Sequence, residues 1–203
     1  MAKKNFIPSI IRDNKFSSEG FVETESGLMV PAYVGSGLGF NEPGVFYLKH
    51  FYEELKKRKV FPLCPFIADG EYLDLSRINE EMSVKKHKKF WRGFNRQAVG
   101  KINYEMLLPY SRFMIALFDC AGPGSDDGMC SEITFSAMSG KQVIGIRSDF
   151  RQGENIATGI NPAVRYFLDY GPYKGRFYDG PNAMRNGLRG IERLATEILR
   201  KSA

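Results

Sequence analysis

Phe113-Met-Ile-Ala-Leu-Phe118 is an unbroken apolar run of strand length, and Asp119-Cys-Ala-Gly-Pro-Gly-Ser-Asp-Asp-Gly128 follows at once as a stretch of turn formers. A strand with one wet face alternates apolar and polar residues. A continuous run suits a strand covered on both faces, as in a parallel sheet. A helix is predicted next, from near Cys130 through Ala137, with Gly140 as the residue just past its end, where a left-handed conformation closes the last turn. Val143-Ile-Gly-Ile146 then reads as another strand. Strand, loop, helix and strand make one parallel crossover unit.

The alternation extends in both directions. Upstream, Leu28-Met-Val-Pro-Ala-Tyr-Val34 reads as a buried strand stopping at Gly35-Ser-Gly37, with Pro31 marking a bend or its early edge. Val45, Leu48, Tyr52 and Leu55 recur at helical spacing, and Glu53, Glu54, Lys56, Lys57 and Arg58 fill the opposite face. Val60-Phe-Pro-Leu-Cys64 is a second strand. Residues 66–100 show no clear period and are expected to be helical in part. Downstream, Asn161 and Pro162 fit the N-cap and N1 positions of a helix with a Val164, Phe167, Leu168 stripe. Arg176-Phe-Tyr178 is a short fifth strand. Leu188, Ile191, Leu194, Ala195 and Ile198 mark an amphipathic final helix. The expected fold is α/β: a doubly wound, flavodoxin-like or Rossmann-like sheet of about five parallel strands with helices on both faces. One domain is expected over 28–203, preceded by an N-terminal arm over 1–27. Such sheets bind ligands at the carboxyl ends of their strands, which directs attention to the loops after Val34 and Phe118.

Composition narrows the class. A chain of 203 residues that is 43% hydrophobic and 26% charged can bury one good core. No apolar run approaches the roughly 20 residues of a membrane span. Met1-Ala-Lys-Lys-Asn-Phe has no apolar core behind its lysines, so no secretory signal is expected and the location expected is cytoplasmic. Cys64, Cys120 and Cys130 form no Cys-x-x-Cys pair, which suits a reducing compartment. His50 and His87 have no thiols at ligand spacing, so a zinc site is not expected, and the sequence calls for no other cofactor. Much of the net charge of +6 lies in Lys85-Lys-His-Lys-Lys-Phe-Trp-Arg-Gly-Phe-Asn-Arg96. Basic residues interleaved with aromatics can track phosphates. The plainer reading is a solvated face with Phe90, Trp91 and Phe94 packed beneath. A single short run is weak support, and nucleic acid is not the expected partner.

Asp126, Asp127 and Glu132 place three carboxylates within seven residues. Glu132 reads as lying where a helix starts, where backbone N–H groups and the helix dipole favour the anion a nucleophile must be. Asp126, in a glycine-flexed loop, could reach the same space. Acidic residues in these positions also serve as simple caps. The first loop has glycines at 35, 37 and 39, which let a ligand approach the backbone or merely make a tight turn. It is not a full dinucleotide fingerprint.

Taken together, these pieces resemble the nucleoside 2-deoxyribosyltransferase family. The resemblance rests on Tyr33-Val-Gly-Ser-Gly37, on Phe113-Met-Ile-Ala-Leu-Phe-Asp119, on the six-residue step in Asp126-Asp-Gly-Met-Cys-Ser-Glu132, and on Ala137-Met-Ser-Gly-Lys141 running into the strand and Arg147-Ser-Asp-Phe-Arg151. It spans about residues 28–170. It implies that Glu132 is the nucleophile, Asp126 the acid that helps the base leave, and Tyr33 the residue that holds the nucleophile. It further implies substrate contacts from Gly35, Ser36, Gly37, Asn103, Asp127, Gly128 and Met129, and a homo-oligomer whose subunits complete one another's pockets. The substrate expected is a small nucleoside or nucleotide. The chain departs from the pattern in several places. Asn103 stands at, or one residue from, a position usually Asp or Asn, Arg112 replaces an Asp, and Val-Gly-Ser-Gly replaces Leu-Ala-Gly-Pro. Three activities fit the residues: transfer of the sugar to a second base, hydrolysis of a nucleoside or its 5′-monophosphate, and a non-catalytic nucleotide sensor. Ser36, Asn41 and the basic stretch could serve a phosphate. A lid over the pocket is the alternative to the solvated face for that stretch.

Overall fold

A ten-residue strand, β3 (Gly27–Ser36), is the axis of the sheet. It pairs in parallel with β4 (Val60–Leu63) on one side and β5 (Phe113–Leu117) on the other. The computed structural model describes residues 7–40, 42–66, 68, 83–119, 126–148 and 160–202. Beyond β5 the sheet continues through β6 (Gln142–Arg147) to β7 (Arg176–Asp179), again in parallel. The parallel order is therefore β4-β3-β5-β6-β7. Chain order reverses between β3 and β5, and open α/β sheets open a ligand crevice at that reversal.

Each strand sends alternate side chains to opposite faces, and both faces are apolar. Val30, Ala32, Val34, Ile115, Leu117, Ile144 and Ile146 pack with Leu48, Phe51 and Leu55 of α2 (Glu42–Lys57) and with Ile191 and Ala195 of the last helix (Ala183–Lys201). Tyr33, Met114, Ala116 and Val143 face the other way. They meet Ile102, Leu107, and Met129, Ile133 and Ala137 of the helix Asp127–Met138. Ile115 and Leu117 are wholly buried, and each contributes about 1.5–3 kcal/mol by leaving water. An Asp at Ile115 would place an unpaired charge in the centre of the sheet.

The five strands, the flanking helices and the doubly wound arrangement agree with the sequence reading. Gly140 takes φ +77° just past a helix end, and Asn161 caps Pro162–Arg165 by accepting from the Ala163 N–H at 2.9 Å. Pro31 differs from expectation, since it lies inside the central strand. Its carbonyl accepts from Arg112 N–H at 2.8 Å, so its missing donor faces the β5 side just ahead of Phe113, where no ladder bond is lost. In the segment read as an arm, α1 (Ser9–Arg12) is followed by β1 (Lys15–Phe16) and β2 (Val22–Thr24), which extend the sheet antiparallel onto the start of β3. From Val84 on, the stretch without clear period folds as α3 (Val84–Phe94), continues as a π-helical run over Asn95–Leu107 and ends in α4 (Leu108–Tyr110), and residues 67 and 69–82 lie outside the described residues. π winding follows an i→i+5 pattern that a 3.6-residue template does not detect.

Candidate functional site

The helix after β5, α5 (Asp127–Met138), begins where Asp126 leaves helical backbone at φ −70°, ψ 122° and its carboxylate accepts from the Met129 N–H at 2.7 Å. Met129, Ile133 and Ala137 recur every four residues and anchor α5 on the sheet. Glu132 lies one residue before Ile133 and three after Met129, so the same face carries its side chain inward, leaving it 7% exposed. It is the sixth residue of α5 and lies past the first turn. This corrects the expectation that it sits at the helix start. Of the first-turn N–H groups, that of Met129 is met by Asp126, and the dipole effect has largely faded at Glu132.

Tyr33, wholly buried on the α5 face of β3, donates its hydroxyl to Glu132 Oε1 at 2.5 Å. Asn103, from the π-helical run, brings Nδ2 to the same oxygen at 3.5 Å. Gly35 lies two residues beyond Tyr33 on the same face. A Cβ there would come within 3.1 Å of Glu132 Oε2 and 2.9 Å of Met114 Cε. Glycine therefore makes room for the carboxylate. Asn103 is buried, and its Oδ1 has no hydrogen-bond partner among the described residues. Unpaired buried carbonyl oxygens are uncommon, and they often belong to a group a ligand completes.

Other expected site residues have local tasks. Ser36 Oγ accepts from Leu38 N–H at 3.1 Å and shapes the turn into the 3₁₀ segment that Gly37 opens. Asp127 and Gly128 are exposed on the first turn of α5, and Met129 is in the core. Asp126 stands six residues from Glu132, about 9 Å along the axis at 1.5 Å per residue. Its Oδ1 takes the cap bond, and Oδ2 has no hydrogen bond among the described residues. The basic helix α3 exposes Lys85, Lys86, Lys88, Lys89 and Arg92, with Phe90 half-buried. The side chains of Trp91 and Phe94, together with Asn41 and residues 120–125 and 149–151, lie outside the described residues.

Two residues at the site were not singled out from sequence. The Tyr104 hydroxyl lies 2.5 Å from Ser131 Oγ, and Ser131 donates onward to the Gly128 carbonyl at 2.8 Å. Burial raises the Tyr104 hydroxyl above its ordinary value. The Ser131 bond opposes that rise, and the charge of Glu132 adds to it. The available signal was adjacency, since Tyr104 follows Asn103 and Ser131 precedes Glu132. At the ends of β5 and β6, Asp119 accepts from Ser148 N–H at 2.7 Å and Ser148 Oγ at 2.8 Å, which ties the two strands. Burial, with the Asp119 charge second, pushes the nearby Tyr47 hydroxyl up to about 12.

Among the described residues, no group of His, Cys, Asp and Glu is arranged to hold a metal, and no helix is long and apolar enough to cross a membrane. No protein-family model matches the chain, and no curated protein is similar enough in sequence to count as a match. Solved structures do resemble it. One is a conserved protein from Enterococcus faecalis, 16% identical over 80% of this chain and 98% of that one, with a TM-score of 0.49. Another is a 2-deoxyribosyltransferase from the psychrotolerant bacterium Bacillus psychrosaccharolyticus, 17% identical over 66% of this chain and 80% of that one, with a TM-score of 0.37.

Proposed function

We propose that the protein breaks the N-glycosidic bond of a deoxynucleoside or its nucleotide by a two-step, retaining reaction, and passes the sugar to a second base. In the first step a Glu132 carboxylate oxygen bonds to the anomeric carbon as the C–N bond breaks. The electron pair leaves with the base, and a proton from Asp126 neutralises it. In the second step a nitrogen of the acceptor base attacks the same carbon, the ester bond to Glu132 breaks, and Asp126 recovers a proton. The path has oxocarbenium character, which a carboxylate stabilises and then traps. A 2-deoxy sugar lacks one electron-withdrawing hydroxyl, which eases formation of that cation.

The observation that supports this most directly is the Tyr33–Glu132 hydrogen bond. A phenol donating to a buried carboxylate fixes one oxygen and aims the other. Asn103 adds a second donor, and Gly35 removes the side chain that would crowd the group. This suits an aimed nucleophile better than a surface cap. The test is incubation with deoxynucleosides and their 5′-monophosphates, with and without an acceptor base, followed by denaturation and mass spectrometry. One sugar on Glu132 and a base-exchanged product are expected. Free sugar in place of exchange would mean that water is the acceptor. No product and no adduct across the four natural bases would sink the reading.

A further inference from the structure

A second charged site lies on the other face of the sheet from Glu132. The last helix, α7 (Ala183–Lys201), follows α6 (Pro162–Arg165) and β7. Where its later turns cross the first residues of β6 and β7 there is a cleft of about 250 Å³. Gly190, Arg193 and Glu197 line it from α7, Gln142 from β6, and Lys174 and Arg176 from the approach to β7 and its first residue. Gly190 keeps the helix close to the sheet, because a Cβ there would come within 2.2 Å of Tyr178 Oη.

Three cations therefore converge on one small space from separate parts of the chain. None of the Lys174, Arg176 and Arg193 side chains has a hydrogen bond or ion pair within 4 Å among the described residues. The one carboxylate present, Glu197, is already engaged by Lys201 at 2.7 Å. Glu197 titrates below its ordinary value, first through the Lys201 hydrogen bond and charge, with Lys174 and Arg176 adding their fields. Three cations against one carboxylate leave the cleft net positive, and a bound anion relieves the repulsion among them. The volume falls below the roughly 300–1,000 Å³ of sites that take drug-sized ligands. Two guanidinium forks and an ammonium suit the oxygens of a phosphoryl group, and a phosphate monoester carries about −1.5 to −2 at neutral pH, against three cations and one carboxylate here.

We infer that this cleft is a binding site for phosphate or a small phosphate monoester, separate from the Glu132 site. Occupancy stabilises the folded chain, because the ligand binds it and not the unfolded one.

The experiment is calorimetric titration of the full chain at constant ionic strength with inorganic phosphate, pyrophosphate and a pentose 5-phosphate. Arg176→Gln, Arg193→Gln and Lys174→Gln are compared with Arg185→Gln, which lies on the same helix outside the cleft. Binding of at least one phosphate compound by the parent chain is expected. Affinity should fall about tenfold in each cleft variant, the order of one charge-assisted hydrogen bond, and hold in Arg185→Gln. Turnover at Glu132 should be unchanged in all four. No binding by the parent overturns the site. Equal losses in Arg185→Gln overturn it as well, since they indicate a diffuse basic surface. So does binding seen only with oligonucleotides and rising with their length, or only with vesicles of anionic lipid. Circular dichroism on each variant separates a lost site from a lost fold, and with three independent cleft variants the result does not depend on any one of them folding.

Discussion

Tyr33 Oη and Glu132 Oε1 are joined by a 2.5 Å hydrogen bond between residues 99 apart in sequence. β3 supplies the donor and α5 the acceptor, so the bond exists only when the crossover from β5 has packed on the sheet. Tyr33→Phe keeps the ring and deletes the donor. A hydrogen bond to a charged group contributes about 1.5–3 kcal/mol, so turnover is expected to fall roughly 10- to 100-fold with the fold retained. Glu132→Gln is expected to abolish turnover. Steady-state kinetics alongside melting curves decide the matter, and a folded Glu132→Gln protein with near-parental rates removes Glu132 from the chemistry.

Gly35→Ala tests the space around the carboxylate. The added methyl would lie 2.9 Å from Met114 Cε, 3.1 Å from Glu132 Oε2 and 3.2 Å from Met129 Cγ. Methionine ends are flexible and can yield. A carboxylate held by Tyr33 and Asn103 yields only by leaving its aim. The expected outcome is a loss of kcat larger than the loss of stability, which overpacking of this kind puts at about 1–3 kcal/mol. Full kcat with lowered Tm would mean that the glycine serves packing alone.

Asp126 can be dissected with two substitutions. Asn caps a helix about as well as Asp, whereas Ala forfeits about 0.5–2 kcal/mol. Asp126→Asn therefore keeps the bond to Met129 and removes the proton. If Asp126 is the acid, both variants lose turnover, and only Asp126→Ala also melts early. Substrates with good leaving groups should be spared in both. Normal turnover in Asp126→Asn would reduce the residue to a cap.

The parallel strands could be read from sequence because burial on both faces writes a continuous apolar run, as in Phe113–Phe118. The turns around Gly140 and Asn161 could be read because φ above zero and an N-cap favour particular residues. β1 and β2 were harder. They are two and three residues long, mixed in polarity, and depend on pairing with the start of β3. At the site, nothing local marks Tyr33 as a partner of Glu132, and only the resemblance joined them. The Asn103 contact depends on two helices meeting, one of them π-wound. Asp126 was legible as a carboxylate near a helix, but whether it caps or reaches outward is decided by backbone angles that the sequence does not print.

Lys141 gives a pH signature. Its ammonium is held by the carbonyls of Leu108, Pro109 and Ser111 at the end of α4. Burial, with the Arg112 charge second, lowers it from 10.5 to about 8. Between those values the unfolded chain binds more protons than the folded one, so this group's contribution to stability rises with pH across that window. It is complete above the unfolded value and lost as pH falls through about 8. Denaturant midpoints measured from pH 7.5 to 9.5 should rise more in the parent than in Lys141→Met, which should be less stable throughout because those carbonyls lose their donor. Parallel pH profiles for the two proteins would contradict this.

We propose that the outer face of α5 meets a second copy of the chain. Phe135 and Met138 are 39% and 70% exposed, and they line up with Ser131 at helical spacing. Tyr104 meets Phe135 edge-on at 5.3 Å between ring centres, and through Ser131 this apolar stripe runs up to the residues around Glu132. Water against Met138 and Phe135 is unfavourable, and self-association through a two-fold axis buries the same stripe twice. The expected state is a closed homo-oligomer, most simply a dimer, with this face inside. Met138→Lys places a charge at the axis and should shift light-scattering mass toward the monomer, while turnover falls because the stripe borders the site. Arg185→Gln, on the opposite helix layer, should change neither. A parent chain that is monomeric at all working concentrations would remove the dimer, and a Met138→Lys protein still assembled at parental strength would move the interface elsewhere on the surface.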